Sequence, residues 1–372
     1  MSLGAGLIGT ALQGEQEGTS LKVTPKGVFM AAITHLASNC WYAVAPSATL
    51  ADQPLGLPFA GQEFVLFRDA NRIPNAFSDR CPHRGASLAL GRLEQGCLRC
   101  PFHGWAFAAD GRCLEVPADG PGASLPARSH LQHQHVVREH LGWVWLWWGE
   151  GEPDGELLPT LPQFDPNQWQ QVRSSFAWHT HFSRVVESNL DNSHAYWVHK
   201  SSFATQESPL SIPYDLESGD RWFSAKVSFD LPVPPALKWL RRLQGNGSKI
   251  SATTQFSFYY PNLNIVETTV ADLLHVVFIN ASLPQSETET LCRWVKFSPR
   301  KRWKLPGQDA KSVAISRTIF EEDHGVVQSQ RPFAVPLDFA HESHVHSDLL
   351  SIEYRKLLKR LSTVSARLTT DS

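Results

Sequence analysis

The sequence predicts an α+β protein built from two domains, and three observations support this prediction. Between Trp41 and Gly149, short apolar runs alternate with turn residues, which is typical of a small all-β domain. A stretch rich in Pro, Gly and acidic residues follows at 149–166 and indicates a linker. Beyond it, long β-patterned runs at 220–300 are bracketed by helical patterns, which favours an antiparallel sheet covered by helices.

The elements of the first domain are short. Residues 1–36 are interpreted as an N-terminal arm, and the domain itself is assigned to 37–150. Period-2 alternation, broken by Gly, Asp-Gly and Pro, predicts strands in four segments. These segments are 61–72, 75–80, 110–116 and 135–149.

The second domain is assigned to 151–372. Its segment 176–200 begins like a strand and continues like a helix. Four further runs predict strands, at 221–231, 249–270, 273–284 and 290–299. Helical patterns then return at 312–330 and 347–368.

Composition excludes several classes of protein. A net charge of −2 gives no electrostatic reason for binding nucleic acid or an anionic membrane. No apolar run approaches the ~18–20 residues of a membrane span, and the N-terminus lacks the pattern of a secretory signal. Six cysteines in 372 residues do not form a disulfide framework, so we expect a cytoplasmic location.

Two cysteines and two histidines are concentrated in one short stretch, as Cys81-x-His83 and Cys100-x2-His103. A structural zinc site is one interpretation, because Cys2His2 is a tetrahedral zinc set. However, zinc fingers usually place both cysteines before both histidines. The other interpretation is a [2Fe–2S] cluster in which two thiolates hold one iron and two imidazoles hold the other.

The surrounding residues, CPHRGASLALG and CPFHGWAF, resemble the Rieske family. That resemblance implies the cluster interpretation, with the four residues just named as ligands. Respiratory Rieske proteins carry an additional cysteine pair near the ligands, whereas this chain has Gly85, Phe102 and Trp105 in those neighbourhoods. The chain is therefore more similar to the oxygenase and ferredoxin branch.

A second candidate metal site lies in ESNLDNSHAYWVH, which contains His194 and His199. Two imidazoles and one carboxylate form the facial triad of non-haem Fe(II) oxygenases, although two histidines on a helix can also be ordinary polar residues. The pairing with a Rieske motif resembles the catalytic subunit of Rieske non-haem iron oxygenases. By that resemblance Asp323 is the best candidate for the carboxylate, with Glu321 and Glu322 as alternatives.

Helix geometry constrains this second site. Residues 194 and 199 differ by about 140° around an ideal helix, so both cannot face one ion unless the helix ends, tightens or bulges between them. We predict such a distortion around Tyr196–Val198, since π-type bulges are often found at functional sites.

The resemblance also implies a role for Asp191. In the family, the aspartate three residues before the first iron histidine links that histidine to a Rieske histidine of a neighbouring subunit. For this chain the link would run from His194 through Asp191 to His83 or His103 of another copy. A head-to-tail ring follows, most simply a homotrimer.

The resemblance to Rieske oxygenases implies a terminal oxygenase with a helix-grip catalytic domain, of the START or Bet v 1 type. It would use O2, a Rieske cluster and a mononuclear Fe(II), with electrons from a separate ferredoxin or flavin reductase, because no dinucleotide-binding Gly motif is present. The C-terminal pattern resembles Rieske monooxygenases, which favours hydroxylation or demethylation of an aromatic or polycyclic substrate. The alternatives are cis-dihydroxylation, an electron-transfer protein without catalytic iron, and a zinc-stabilised binding module.

Overall fold

The computed structural model describes residues 22–23, 29–30, 33–150, 152–199, 202, 213–232, 249–271, 273–301 and 306–368. The chain divides into two compact units, 1–32 and 33–372. In the first unit, β1 (Lys22–Val23) pairs antiparallel with β2 (Phe29–Met30). Most of the predicted arm lies outside the described residues, and the predicted boundaries at 36 and 150 stay predictions.

The Cys/His motif lies in an all-β region, as predicted. Three small antiparallel sheets form it, with strand orders β10-β9-β8-β7, β11-β12-β3 and β4-β5-β6. Their strands are β3 (Cys40–Pro46), β4 (Leu55–Phe59), β5 (Gln62–Arg68), β6 (Pro74–Ser78), β7 (Arg92–Glu94), β8 (Cys97–Arg99), β9 (Ala106–Phe107), β10 (Cys113–Glu115), β11 (Val137–His140) and β12 (Trp143–Trp148).

A seven-stranded antiparallel sheet follows, in the order β13-β19-β18-β17-β16-β15-β14. Its strands are β13 (Trp169–Trp178), β14 (Asp215–Ser218), β15 (Trp222–Pro232), β16 (Lys249–Tyr259), β17 (Leu263–Val270), β18 (Leu274–Pro284) and β19 (Thr290–Pro299). The helices are α1 (Phe182–Ser188), α2 (Ala195–Val198), α3 (Gln308–Val327) and α4 (Leu349–Leu368). Within the described part of the chain, no helix combines the length and apolarity needed to cross a bilayer.

The two faces of the large sheet bury different partners, because side chains alternate along each strand. One face packs Ile265 and Ile279 against Trp143 and Trp145 of the small sheet β11-β12-β3. The opposite face receives the helices. On that face Tyr354 of α4 meets Phe258 at a ring distance of 4.9 Å. Each large apolar side chain buried in this way contributes about 1.5–3 kcal/mol.

Three buried charges and the partly exposed Glu342 connect α1 to α4. Glu187 of α1 accepts hydrogen bonds from Arg355 Nε and Nη2 of α4, at 2.6 and 3.0 Å. Arg184 Nη1 approaches the same carboxylate at 3.2 Å, and Glu342 pairs with Arg184 at 2.7 Å and Arg355 at 2.6 Å. Two cations thus face two anions, which offsets the cost of removing them from water. This Arg–Glu cluster holds the helix that precedes the second metal motif.

Candidate metal centres

Two loops of the same backbone design carry the first motif. Both have the sequence Cys-Pro-x-x-Gly, and in each the Gly amide donates to the Cys carbonyl oxygen, at 2.8 Å for Gly85 on Cys81 and 3.2 Å for Gly104 on Cys100. The two glycines have φ of 71° and 73°, a left-handed conformation that favours Gly. The repeated sequence therefore places the two cysteines equivalently.

Polar side chains brace both loops. Asp79 is buried and accepts hydrogen bonds from Ser87 Oγ at 2.6 Å and from the Ala89 amide at 2.7 Å. These bonds fix the chain after the first loop. Arg99 donates to the Gly104 carbonyl oxygen at 2.6 Å and so holds the second loop.

The four predicted cluster ligands come together where the loops meet. The His83 and His103 rings are 4.5 Å apart between centroids, and the Cys81 and Cys100 thiols are close enough to interact. The Trp105 ring stacks on His83 at 4.6 Å and 5°, which orients that imidazole.

The chemistry of these side chains fits a mixed-ligand iron–sulfur cluster. His83 Nδ1 is buried and has no hydrogen-bond partner among the described residues, so it is available to a metal. Partial burial, with His103 and Arg84 nearby, lowers the pKa of His83 and favours the neutral form that binds metal. Burial also raises the pKa of Cys81 to about 11, and bound iron would supply the positive charge that stabilises its thiolate.

The second motif is carried by two short helices. Helix α1 ends at Ser188, and α2 is a single turn from Ala195 to Val198 with His194 immediately before it. His199 leaves the helix with φ −95° and ψ 29°, well away from the helical value of about −42° for ψ. The predicted interruption is therefore confirmed, and of its possible forms the structure shows the helix ending at Val198 rather than bulging. The helix simply ends, because the amide of His199 makes its last bond, to Ala195, at 3.1 Å.

Helix α3 brings the carboxylate. Its residues Phe320, Asp323 and Val327 recur at i, i+3 and i+7 and share one face. Phe320 is buried against Phe176 and Trp294, with ring distances of 4.7 and 5.7 Å. This packing fixes the rotation of the helix and points Asp323 at the two histidines.

Three ligand atoms then form a compact triangle. His194 Nε2 and His199 Nε2 are 3.2 Å apart, and Asp323 Oδ1 lies 3.4 Å from the first and 3.2 Å from the second. Metal–ligand bonds of about 2 Å separate adjacent ligand atoms by about 3 Å at right angles. The triangle thus has the dimensions of a facial triad.

The electrostatics of the triangle favour a cation. Burial lowers the pKa of His194, but the nearby carboxylates of Asp191 and Asp323 outweigh this and raise it to about 9. Burial alone would raise the pKa of Asp323, and the two histidines reverse this so that its pKa falls below the ordinary value. The negative charge that draws a proton to this imidazole also draws a metal ion, whose binding would displace that proton.

The neighbouring acids behave differently from Asp323. Glu321 is exposed. Glu322 contacts the opposite nitrogen of His199, with Oε2 2.9 Å from Nδ1. Sequence reasoning had placed Glu322 among the candidates for the metal ligand and had not found this contact. The run of three acids was the available signal, but only the packing of α3 shows which acid faces which nitrogen.

Asp191 lies beside the triad. Its Oδ2 is 3.6 Å from His194 Nδ1, which is longer than a direct hydrogen bond, while Oδ1 accepts from the Ser193 amide and hydroxyl at 2.7 Å each. The side chain is 33% exposed. An open cavity of about 380 Å³ borders Asp191, His194 and Asp323, and is lined further by Arg331 and His344. Asp191 is thus accessible from this cavity.

Comparison with protein families matches both regions. A model described as the Rieske [2Fe-2S] domain matches residues 40–132, and one described as the vanillate O-demethylase oxygenase C-terminal domain matches residues 178–363. These matches favour the iron–sulfur interpretation of the first motif over zinc.

Comparison with individual proteins agrees with the family matches. The chain is 35% identical over 285 residues to a 4beta-methylsterol monooxygenase of Methylococcus capsulatus, covering 73% of this chain and 72% of the relative. It is 31% identical over 226 residues to the aminopyrrolnitrin oxygenase PrnD of Pseudomonas fluorescens, covering 56% of this chain and 60% of that protein's length. Among solved structures, the NdmA QL mutant of Pseudomonas putida CBB5 with theobromine has a TM-score of 0.64 at 22% identity, covering 86% of this chain and 89% of the other. That likeness shows the fold.

Proposed function

Because the chain belongs to the Rieske oxygenase family, we propose that it is the terminal oxygenase of a multicomponent system. His194, His199 and Asp323 would hold a mononuclear Fe(II), and Cys81, His83, Cys100 and His103 would hold the [2Fe–2S] cluster. The observation that carries the proposal is the triangle of ligand atoms at 3.2–3.4 Å in a chain that also carries the paired Cys-Pro-x-x-Gly loops.

The division of labour follows from the two sites. When bound, the cluster supplies single electrons and the ferrous ion supplies the centre at which O2 is activated. His194, His199 and Asp323 would hold the ferrous ion, and the packing of Phe320 against the sheet keeps Asp323 directed at the two histidines. The electrons would come from a separate ferredoxin or flavin reductase.

For the reaction, we propose monooxygenation, by hydroxylation or demethylation of an aromatic or polycyclic compound. The match to a demethylase C-terminal domain and the similarity to a methylsterol monooxygenase support this choice over cis-dihydroxylation. A cytoplasmic location still rests on the sequence alone.

Electron transfer between copies is the second part of the proposal. Asp191 would connect His194 of one copy to a cluster histidine of the next, within a homotrimer. Two features support this arrangement. The His103 end of the cluster loops is exposed, with Phe102 64% exposed beside it, and Asp191 borders an open cavity.

Metal analysis tests the central proposal. The purified protein should be brown and contain about three irons and two acid-labile sulfides per chain. An electron-transfer protein without catalytic iron would contain about two irons, and a zinc module would be colourless. His194→Ala should lose one iron, keep the cluster spectrum and abolish substrate-dependent O2 consumption. The control is His179→Ala, which removes an exposed imidazole. Retained turnover in His194→Ala would refute the site.

Mixed oligomers test the electron path. A variant without the cluster, Cys81→Ser, and a variant without the mononuclear iron, His194→Ala, should each be inactive. Co-expressed, they should regain activity if electrons pass between copies. If co-expression restores nothing while mixed oligomers form, transfer occurs within one chain and the role of Asp191 is wrong.

A further inference from the structure

Glu322 and Asp323 approach the His199 ring from opposite sides. Asp323 Oδ1 lies 3.2 Å from Nε2, the nitrogen in the ligand triangle, and Glu322 Oε2 lies 2.9 Å from Nδ1. Consecutive residues of a helix point about 100° apart, so two adjacent carboxylates can reach around one imidazole. Glu322 therefore cannot share the ion with Nε2 while it holds Nδ1.

We propose that Glu322 is a positioning residue that fixes the tautomer and orientation of His199 for metal binding. This inference rests on the proposed function of the triad. A carboxylate only accepts hydrogen bonds, so the bond at 2.9 Å requires a proton on Nδ1. Nε2 is then the unprotonated nitrogen and can present its lone pair to the ion, as in the carboxylate–histidine pairs that support metal ligands elsewhere.

The surroundings of Glu322 support this role. His199 is only 3% exposed in its side chain and Glu322 14%, so water competes weakly for their hydrogen bond. The same Oε2 accepts a hydrogen bond from Ser202 Oγ at 2.6 Å. The Ser202 amide also donates to the His199 carbonyl oxygen at 3.1 Å, so Glu322 contacts two residues that are bonded to each other.

The two histidines of the triad consequently have unlike partners. His194 Nδ1 has Asp191 at 3.6 Å, which is one-third exposed and borders the open cavity. His199 Nδ1 has Glu322 at 2.9 Å in a more buried position. The first contact suits an exchangeable link to a partner, and the second suits a permanent support. The positioning role thus belongs to His199.

Metal affinity tests the inference without relying on turnover. Cluster-loaded protein, depleted of mononuclear iron, is titrated anaerobically with Fe(II) in competition with a chromophoric chelator. Glu322→Ala should raise the Fe(II) dissociation constant by about 10–100-fold. Glu322→Gln should lose less, because its amide oxygen still accepts from Nδ1. The matched control is Glu321→Gln, which removes the adjacent exposed charge and should bind Fe(II) like the wild type.

A spectroscopic measurement separates orientation from simple loss of structure. With nitric oxide as probe, the S = 3/2 signal of the ferrous site should change in rhombicity in Glu322→Ala and return towards the wild-type shape in Glu322→Gln. The cluster absorption reports folding in every variant. Wild-type affinity and an unchanged signal in Glu322→Ala, or equal weakening in Glu321→Gln, would overturn the inference. If His194→Ala also binds Fe(II) normally, the proposed metal site itself is wrong.

Discussion

The Arg–Glu cluster that connects α1 to α4 gives a stability prediction whose size can be worked out. Glu187→Gln keeps the shape of the side chain but removes one of two negative charges facing Arg184 and Arg355, which are 3% and 4% exposed. Breaking a buried ion pair costs about 3–5 kcal/mol, because the remaining charge is uncompensated. Glu342 still faces both cations, so we expect the lower end, about 3 kcal/mol.

This free energy converts to a temperature. Unfolding entropy is about 2.1 cal/mol/K per residue, which over the unit 33–372 gives about 0.7 kcal/mol/K. A loss of about 3 kcal/mol therefore lowers the midpoint of thermal unfolding by about 4 °C. Tryptophan fluorescence in a temperature scan, at one scan rate for all variants, measures the change.

The matched control lies on α4, the helix that carries Arg355. Glu353→Gln breaks an exposed pair with Lys356, whose side chain is 57% exposed, and should cost less than about 1 kcal/mol. Its midpoint should stay within about 1 °C of the wild type. If the midpoint of Glu187→Gln also stays within about 1 °C of the wild type, or if the midpoints of both variants fall equally, burial of the Arg–Glu cluster does not determine its contribution to folding stability.

Three other predictions follow from the same structure. Burial raises the pKa of Glu342, but the two arginines outweigh this and lower the pKa overall. The contribution of Glu342 to stability is therefore present above the unfolded pKa of about 4.3 and is lost as pH falls through the lower folded pKa. Glu342→Gln should reduce the drop in the unfolding midpoint between pH 5 and 3.5. Gly85→Ala should lower the folding stability by about 1–2 kcal/mol, because φ is 71° there, and should speed thermal bleaching of the cluster. Gly142→Ala is equally strained at φ 80° but lies outside the cluster loops, so it should leave the bleaching rate unchanged. Asp191→Ala should retain all iron and slow single-turnover product formation by pre-reduced protein; wild-type rates with full iron content would exclude it from the electron path.

Sequence reasoning succeeded where function is encoded locally. The pattern Cys-Pro-x-x-Gly occurs twice because each loop needs the same turn, and the cysteine lies at the same position of that turn in both loops, whereas the histidine lies two residues after it in one and three in the other. The alternation along β15 and β16 likewise predicted their strands, because successive side chains of a strand point to opposite faces. The distance between His194 and His199 correctly required the helix to be interrupted.

Sequence reasoning failed for features that depend on packing between residues far apart in the sequence. The end of α2 at Val198 could not be distinguished from a π-bulge, because both bring the histidines together and the sequence specifies neither. The contact of Glu322 with His199 spans 123 positions and depends on how Phe320 seats α3 on the sheet. The pair Glu187–Arg355 spans 168 positions and has no local pattern at all.

The two metal centres differ in how much chain must be synthesised before each is complete. All four cluster ligands lie within residues 81–103, so this site can form soon after that stretch leaves the ribosome. The ferrous site needs residues 194 to 323, and its contacts close a loop of more than a hundred residues, which makes it a late, non-local event in folding. The four cluster ligands are therefore complete at a shorter chain length than the three ligands of the ferrous site.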